Sequence, residues 1–372
     1  MTEYPSRRDP KAVITATAVV VVIIIATAAV IMFNPIQQRT LTIYTYGSFM
    51  DWGDNNDTDF FAPFEERYDV DVIIDRRADD ANTLVAILEA ESANPIADVV
   101  IGIDNILILE QAARSVLEPY TPANLSLIDD SIVTALDPEH YVVPFDFGLV
   151  TIIYSMADMN TTTHPELANL TFADLAYPAM AGALVTEDPY LSSPGLAFLL
   201  TEIAVHEKLL GTDWTDWWSD VKNDIDIQPG WSEAWARWYN DPTKHMMVSY
   251  GTDPAYSAYY TQAEPDVGTA PIYYSGDHYA WMQIEGMGLV KNGPNPELAK
   301  LFIEYCLSPA VQNYVALNQW MFPANMNVEL DSAFDYALKP DEVVLLNELL
   351  GQAEIAENLA SWKSEWNDII RG

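Results

Sequence analysis

Residues 12–33 form a run of 22 residues without a charge, dominated by Val, Ile and Ala. At about 1.5 Å rise per residue, a helix of that length spans the roughly 30 Å of a bilayer core. The run therefore reads as a transmembrane helix. Arg7, Arg8 and Lys11 precede it, and the cytoplasmic bias of basic residues places residues 1–11 inside and everything beyond a short linker, residues 34–40, outside. A cleaved signal segment is the rival reading. Its apolar region is shorter and ends in a small-x-small site, whereas this run continues through Val30-Ile31-Met32-Phe33 to Asn34-Pro35. The expectation is a single-pass anchor in the cell membrane carrying an extracytoplasmic body.

The charge of that body excludes some partners. The chain has 372 residues with 55 acidic and 17 basic side chains, a net charge of −38. Beyond Arg39 the balance is 53 acidic to 13 basic. Nucleic acid is excluded, because its binding is driven by neutralising phosphates with Lys and Arg. A solvated shell suited to high external salt accounts for most of these charges, and ligand steering is the alternative. With 50% hydrophobic and 12% aromatic residues, the chain buries a core of about two domains and is not a disordered acidic tail. Its one cysteine, Cys306, leaves no intrachain disulfide and no Cys-based zinc site. Four Asn-x-Ser/Thr sequons, at Asn56, Asn124, Asn160 and Asn169, fit an external location.

Strand-like and helix-like runs alternate after the anchor. Segments 41–46 and 70–74 read as strands, and Asp98-Val99-Val100-Ile101-Gly102 is a short apolar run ending in Gly. Segments 83–92 and 106–115 show helical spacing, which gives β-α-β-α order and a largely parallel sheet. Ligands of such sheets sit at the carboxyl ends of the strands, here Tyr46-Gly47-Ser48 and Gly102-Ile103-Asp104-Asn105. Segment 142–150 is extended and apolar and reads as a crossing into a second α/β stretch. Residues 41–145 and 272–372 are assigned to a first lobe and 146–271 to a second. Segment 296–307 predicts an amphipathic helix, and 341–371 one or two more.

No catalytic template is present: no Gly-x-Ser-x-Gly, His-Glu-x-x-His, Walker loop or Gly-x-Gly-x-x-Gly, and the five histidines are scattered. The chain is not expected to be an enzyme. Aromatic residues lie instead beside small polar ones where loops converge. Tyr46 and Trp52 sit on the loop leaving the first strand, available for stacking on a flat ring. Trp231 follows Pro229-Gly230 at a loop-to-helix junction, and Trp is the strongest cation-π face. Trp235 and Trp238 follow at helical spacing and are expected to pack. Tyr250 and Tyr256 flank another strand-to-helix turn. Ser193 is read as an N-cap with Pro194 at the first helical position, leaving free N–H groups for an anion.

Taken in order, these segments resemble the thiamine-binding proteins of ATP-driven importers. The matches include Tyr44-Thr45-Tyr46 with Asp51-Trp52-Gly53, Val143-Pro144-Phe145-Asp146-Phe147-Gly148, Ser193-Pro194-Gly195-Leu196, Gly230-Trp231-Ser232-Glu233-Ala234, and Asn318-Gln319-Trp320-Met321-Phe322-Pro323. They run across almost the whole exported body. The resemblance implies an α/β, two-lobed periplasmic-binding-protein-like fold (type II, venus flytrap) carried behind the N-terminal transmembrane helix. It implies a monomer that closes on thiamine, its monophosphate or its diphosphate, with no further cofactor or metal. An ABC permease and its cytoplasmic ATPase are the implied partners. By the match, Tyr46, Trp52, Trp231, Tyr250, Tyr256 and Trp320 are candidate aromatic walls. Ser192, Ser193 and Gly195 look like tail or phosphate contacts, and Asp104 is the candidate partner of the ligand's amino group or positive charge. Two departures stand out: Gly47 replaces a common Asp, and the stretch after His278-Tyr279 is two residues longer before Gln283-Ile284-Glu285. A fixed anchor further implies an archaeal-type envelope without an outer membrane.

Rival ligands remain within the same fold. Ferric-ion binders use adjacent tyrosines with His and a carboxylate, and this chain has Tyr259-Tyr260 and Tyr273-Tyr274; hard oxygen ligands suit that metal. A polyamine receptor also fits aromatic walls with carboxylates. An anchored enzyme would need an activated Cys or a Ser–His pair, and Cys306 falls on an apolar helical face, where a buried structural thiol is expected. A sensor would need a signalling domain, for which residues 1–11 are too few.

Overall fold

The computed structural model describes residues 39–78 and 80–372. The apolar run 12–33 lies outside them, and among the described residues no helix is long and apolar enough to cross a membrane.

The chain opens with a βαβαβ unit: β1 (Arg39–Tyr46), α1 (Asp57–Tyr68), β2 (Val70–Ala78), α2 (Ala81–Glu91) and β3 (Val99–Asp104). Every residue of β3 is buried, as expected for a parallel strand covered on both faces. The expected helix over 106–115 is broken. Asp104 takes the N–H groups of Ile106 and Leu107, each at 2.8 Å, which starts a short 3-10 turn, and the extended backbone of Glu110 separates that turn from the helix Gln111–Ser115.

β4 (Val142–Ser155) is the first crossing. Beyond it come β5 (Leu184–Glu187), α3 (Ser193–Ala204), α4 (Trp214–Val221), β6 (Asp226–Gln228), α5 (Trp231–Asn240), β7 (Met246–Tyr250), α6 (Asp253–Thr261) and β8 (Val267–Ala270). The chain returns along β9 (Asp277–Val290), unbroken through the stretch that the resemblance made longer. α7 (Pro296–Cys306), α8 (Pro309–Asn318) and the terminal α9 (Gln352–Arg371) follow. Cys306 is fully buried on the core side of α7.

The main path of the sheet is β2-β1-β3-β9-β4-β7-β5-β6. β1 pairs parallel with β2 and β3, and β5 pairs parallel with β6 and β7. The two long strands β4 and β9 pair antiparallel with each other in the middle, and each also pairs with its own flank. Two parallel α/β halves are thus joined by two crossing strands. One buried cluster holds Phe60, Phe64, Val99 and Phe302, and a second holds Phe198, Trp217, Trp218 and Trp281. α9 belongs to the second: Ile355, Leu359, Trp362 and Trp366 are buried there, with Trp366 edge-on to Trp218 at 5.8 Å. The apolar stripe of α9, within the stretch 272–372, thus faces the tryptophans of α4, within 146–271.

Candidate functional site

A cavity of about 690 Å³ opens where the two halves face each other, within the usual range for small-molecule sites. Eight of the ten residues singled out in the sequence line it: Tyr46, Trp52, Ser192, Ser193, Trp231, Tyr250, Tyr256 and Trp320. Asp104 and Gly195 do not.

The aromatic wall is built from four separate elements. Trp52, on the loop after β1, meets Trp231 at the start of α5 edge to face, and Trp231 stacks on Trp235 at 5.2 Å with planes 27° apart. Trp235 also lines the cavity, so the residue expected only to pack shares the cavity wall with Trp231. Trp238, one turn on, is buried as expected. Tyr256 on α6 meets Trp320 edge to face at 5.1 Å. Trp320 has φ of +57°, a left-handed conformation that costs about 1–2 kcal/mol outside glycine. Its indole N–H donates to the Trp52 carbonyl at 2.8 Å, and its ring stacks on Phe334 with planes 5° apart. Those contacts hold the strained residue against the cavity.

The opposite rim is the N-terminus of α3. Ser192, in extended conformation, is the cap and accepts from the Gly195 N–H at 3.3 Å; Ser193, expected in that role, is the first helical residue. Its hydroxyl donates instead to the Asp104 carboxylate at the end of β3. Asp104 is 1% exposed, and with two backbone N–H groups and this hydroxyl its oxygens are engaged. Burial raises its carboxyl above the usual range. Gly195 serves packing: a Cβ there would lie 2.6 Å from the Glu187 carbonyl oxygen.

The floor contains residues that the sequence did not single out. Glu285 on β9 accepts from the Tyr46 hydroxyl at 2.6 Å and from Gln283 Nε2 at 3.2 Å. Gln319 Nε2 in turn donates to the Tyr46 hydroxyl. Glu285 is directly opposite Asp146 on β4, beside a bulge at which the pairing skips from Glu285↔Asp146 to Gly286↔Pro144. Burial raises the Glu285 carboxyl to about 7. Asp253, at the first turn of α6, is likewise raised to about 7 by burial. Among the described residues the cavity is lined by five carboxylates, Asp51, Asp80, Glu233, Asp253 and Glu285, and by no Lys, Arg or His. Such a cleft favours a cation with a flat ring.

A family model for the bacterial extracellular solute-binding protein matches residues 94–343. The chain belongs to this family. Its members bind small molecules and deliver them to ABC transporters, and they do no chemistry on them. The solute-binding protein described here is 30% identical over 344 residues to the thiamine-binding periplasmic protein of Brucella suis biovar 1, covering 91% of this chain and 95% of that one. It is 28% identical over 337 residues to the thiamine-binding periplasmic protein of Escherichia coli K12, covering 89% and 93%. Among solved structures, a periplasmic thiamin binding protein superposes with a TM-score of 0.75 at 27% identity, covering 91% of this chain and 98% of that one. The ferric binding protein from Campylobacter jejuni gives 0.66 at 18% identity, covering 88% and 99%, a likeness of fold alone. Neither adjacent pair considered for iron, Tyr259-Tyr260 or Tyr273-Tyr274, lines the cavity, and the Tyr260 hydroxyl donates to the Trp52 carbonyl at 3.2 Å.

Proposed function

We propose that this chain is the extracytoplasmic receptor of an ATP-driven thiamine importer, enclosing thiamine or one of its phosphates between its lobes and handing it to a permease. The single observation that carries the reading is the cleft itself, in which aromatic walls from both halves enclose a cavity lined by carboxylates and by no described Lys, Arg or His. The similarity to thiamine-binding relatives over nine-tenths of the chain supports it. In this reading Trp52, Trp231, Tyr256 and Trp320 enclose the aminopyrimidine and the cationic thiazolium, with Tyr46 and Tyr250 beneath them. Ser192 and Ser193 face the alcohol tail. Asp104 acts through Ser193, and Gly195 through the packing of α3.

Residues 12–33 are proposed to anchor the receptor in the membrane as a single-pass helix, with the body outside and acting as a monomer. Membrane fractionation of the full chain after a high-salt wash checks the anchor. Calorimetric titration of the purified full chain, stripped of carried-over ligand, with thiamine, its two phosphates, spermidine and ferric citrate checks the ligand. Submicromolar binding of a thiamine form is expected. Binding of spermidine or iron alone would replace the reading.

A further inference from the structure

The floor of the cleft contains a pair that ligand enclosure alone does not explain. Asp146 and Glu285 lie opposite each other on the two antiparallel crossing strands, so their side chains project from the same face of the sheet at close range. Asp146 is 0% exposed, and neither of its carboxyl oxygens has a hydrogen-bond partner among the described residues. Glu285 is 7% exposed and lines the cavity. Every neighbouring element presents a neutral or acidic group to them: Tyr46 from β1, Asp104 from β3, Tyr250 from β7, Gln283 from β9 and Gln319 beyond α8, with Glu187 of β5 facing Tyr250. No described Lys or Arg forms an ion pair with either acid.

We propose that Asp146 and Glu285 are an exchangeable counter-charge for the cationic ligand, holding a proton while the cleft is empty and releasing it to solvent when the cation enters. The proposal rests on the cleft being a cation receptor. Two buried carboxylates this close cannot both ionise without a compensating charge. Burial followed by the Glu285 charge holds Asp146 well above the carboxylate range, and burial raises Glu285 to about 7. A ligand cation over Glu285 supplies the missing charge. The O–H bond of one acid then breaks, its electron pair stays on the carboxylate, and the proton passes to buffer. The site thereby avoids a permanently ionised pair in the empty receptor. Because the pair bridges both crossing strands, its charge state is read at the place where the lobes join.

The test is calorimetry of the stripped full chain with unphosphorylated thiamine, whose own groups do not titrate at pH 7, in PIPES, imidazole and Tris at that pH. The binding enthalpy is expected to vary with buffer ionisation enthalpy with a slope equal to release of a large fraction of one proton. The affinity is expected to rise with pH by up to about tenfold per unit below neutrality. Glu285→Gln and Asp146→Asn should each remove the slope. Binding with a buffer-independent enthalpy in wild type would overturn the proposal while leaving the receptor reading intact. A slope persisting in both variants would overturn it by placing the proton elsewhere, with Asp253 the first suspect. Absence of thiamine binding would overturn the receptor reading and the proposal with it. The wild-type slope decides even if a variant fails to fold.

Discussion

Trp52 and Trp231 meet across the cleft with ring centroids 5.2 Å apart and planes 88° from each other. One is carried by the loop after β1 and the other by the first residue of α5, so the contact joins the two halves. The Trp231 indole N–H donates to Ser249 Oγ at 2.9 Å, which fixes the ring by a bond from the end of β7.

Trp231→Ala is expected to weaken thiamine binding by about 1–3 kcal/mol, the size of a cation-π and stacking contribution. Trp231→Phe should recover part of that, because a ring face returns without the N–H that fixes it. Calorimetric affinities of the two variants check this, and an unchanged affinity in the Ala variant would remove Trp231 from the site.

Ser193→Ala removes the hydroxyl that joins α3 to the Asp104 carboxylate across the cleft. A hydrogen bond is worth about 0.5–1.5 kcal/mol, and about 1.5–3 kcal/mol where one partner is charged. Both backbone donors go to Asp104 Oδ1, so the variant strips Oδ2 of this donor in a buried site and should lose stability by an amount of that size as well as bind more weakly. Loss of stability without loss of affinity would make the contact structural only.

Ligand-free stability should depend on pH through the floor. The Glu285 carboxyl is raised from its ordinary value to about 7, so the folded protein binds more protons than the unfolded chain between the ordinary carboxylate range and neutrality. Stability contributed by this group is present at low pH and is lost as pH rises toward 7, by on the order of 3 kcal/mol. Asp253 and Asp146 act in the same direction. The decisive quantity is therefore the difference between wild type and Glu285→Gln in urea unfolding from pH 5 to 8, with the variant expected to show the flatter profile.

Much of this molecule is legible in the sequence wherever local pattern decides. β1, β3 and α7 follow from period and flanking residues, and Trp52, Trp231 and Tyr250 were recognisable as large aromatics placed just where strands end or helices begin. What escaped depends on register and docking. Asp146 and Glu285 become partners only because β4 and β9 pair antiparallel with one particular offset, and nothing within either segment encodes that offset. Adjacent serines at the start of α3 are chemically equivalent caps, and the choice of Ser192 follows from its extended backbone. The place of α9 is set by the tryptophans of α4 rather than by its position in the chain. Residues 12–33 lie outside the described residues, so their reading stands on the sequence.

The acidic body should speed capture of a cation. Fields from carboxylates at the cleft mouth raise association rates and are screened within about 8–10 Å at physiological salt. Stopped-flow tryptophan quenching by thiamine is expected to show an association rate that falls with salt while dissociation changes little. A salt-independent association rate would assign these charges to solvation.

Phosphorylation of the ligand should cost affinity. In the proposed pose the alcohol tail faces the N-terminus of α3, a natural anion site in isolation, but its Ser192 hydroxyl caps Gly195 and its Ser193 hydroxyl is given to Asp104. A phosphate placed there would meet a buried carboxylate behind the serines and five more acids around the cavity, with no described Lys, Arg or His to offset them. Two like charges about 6 Å apart at an effective dielectric near 20 repel by about 3 kcal/mol before screening. Thiamine is therefore expected to bind more tightly than its monophosphate, and the monophosphate more tightly than the diphosphate, by about tenfold or more per step at pH 7.5. Competition titrations at fixed ionic strength check the order. Equal affinities for all three would mean that the tail leaves the cleft toward solvent, and tighter binding of a phosphate would require α3 to release Asp104 on closure.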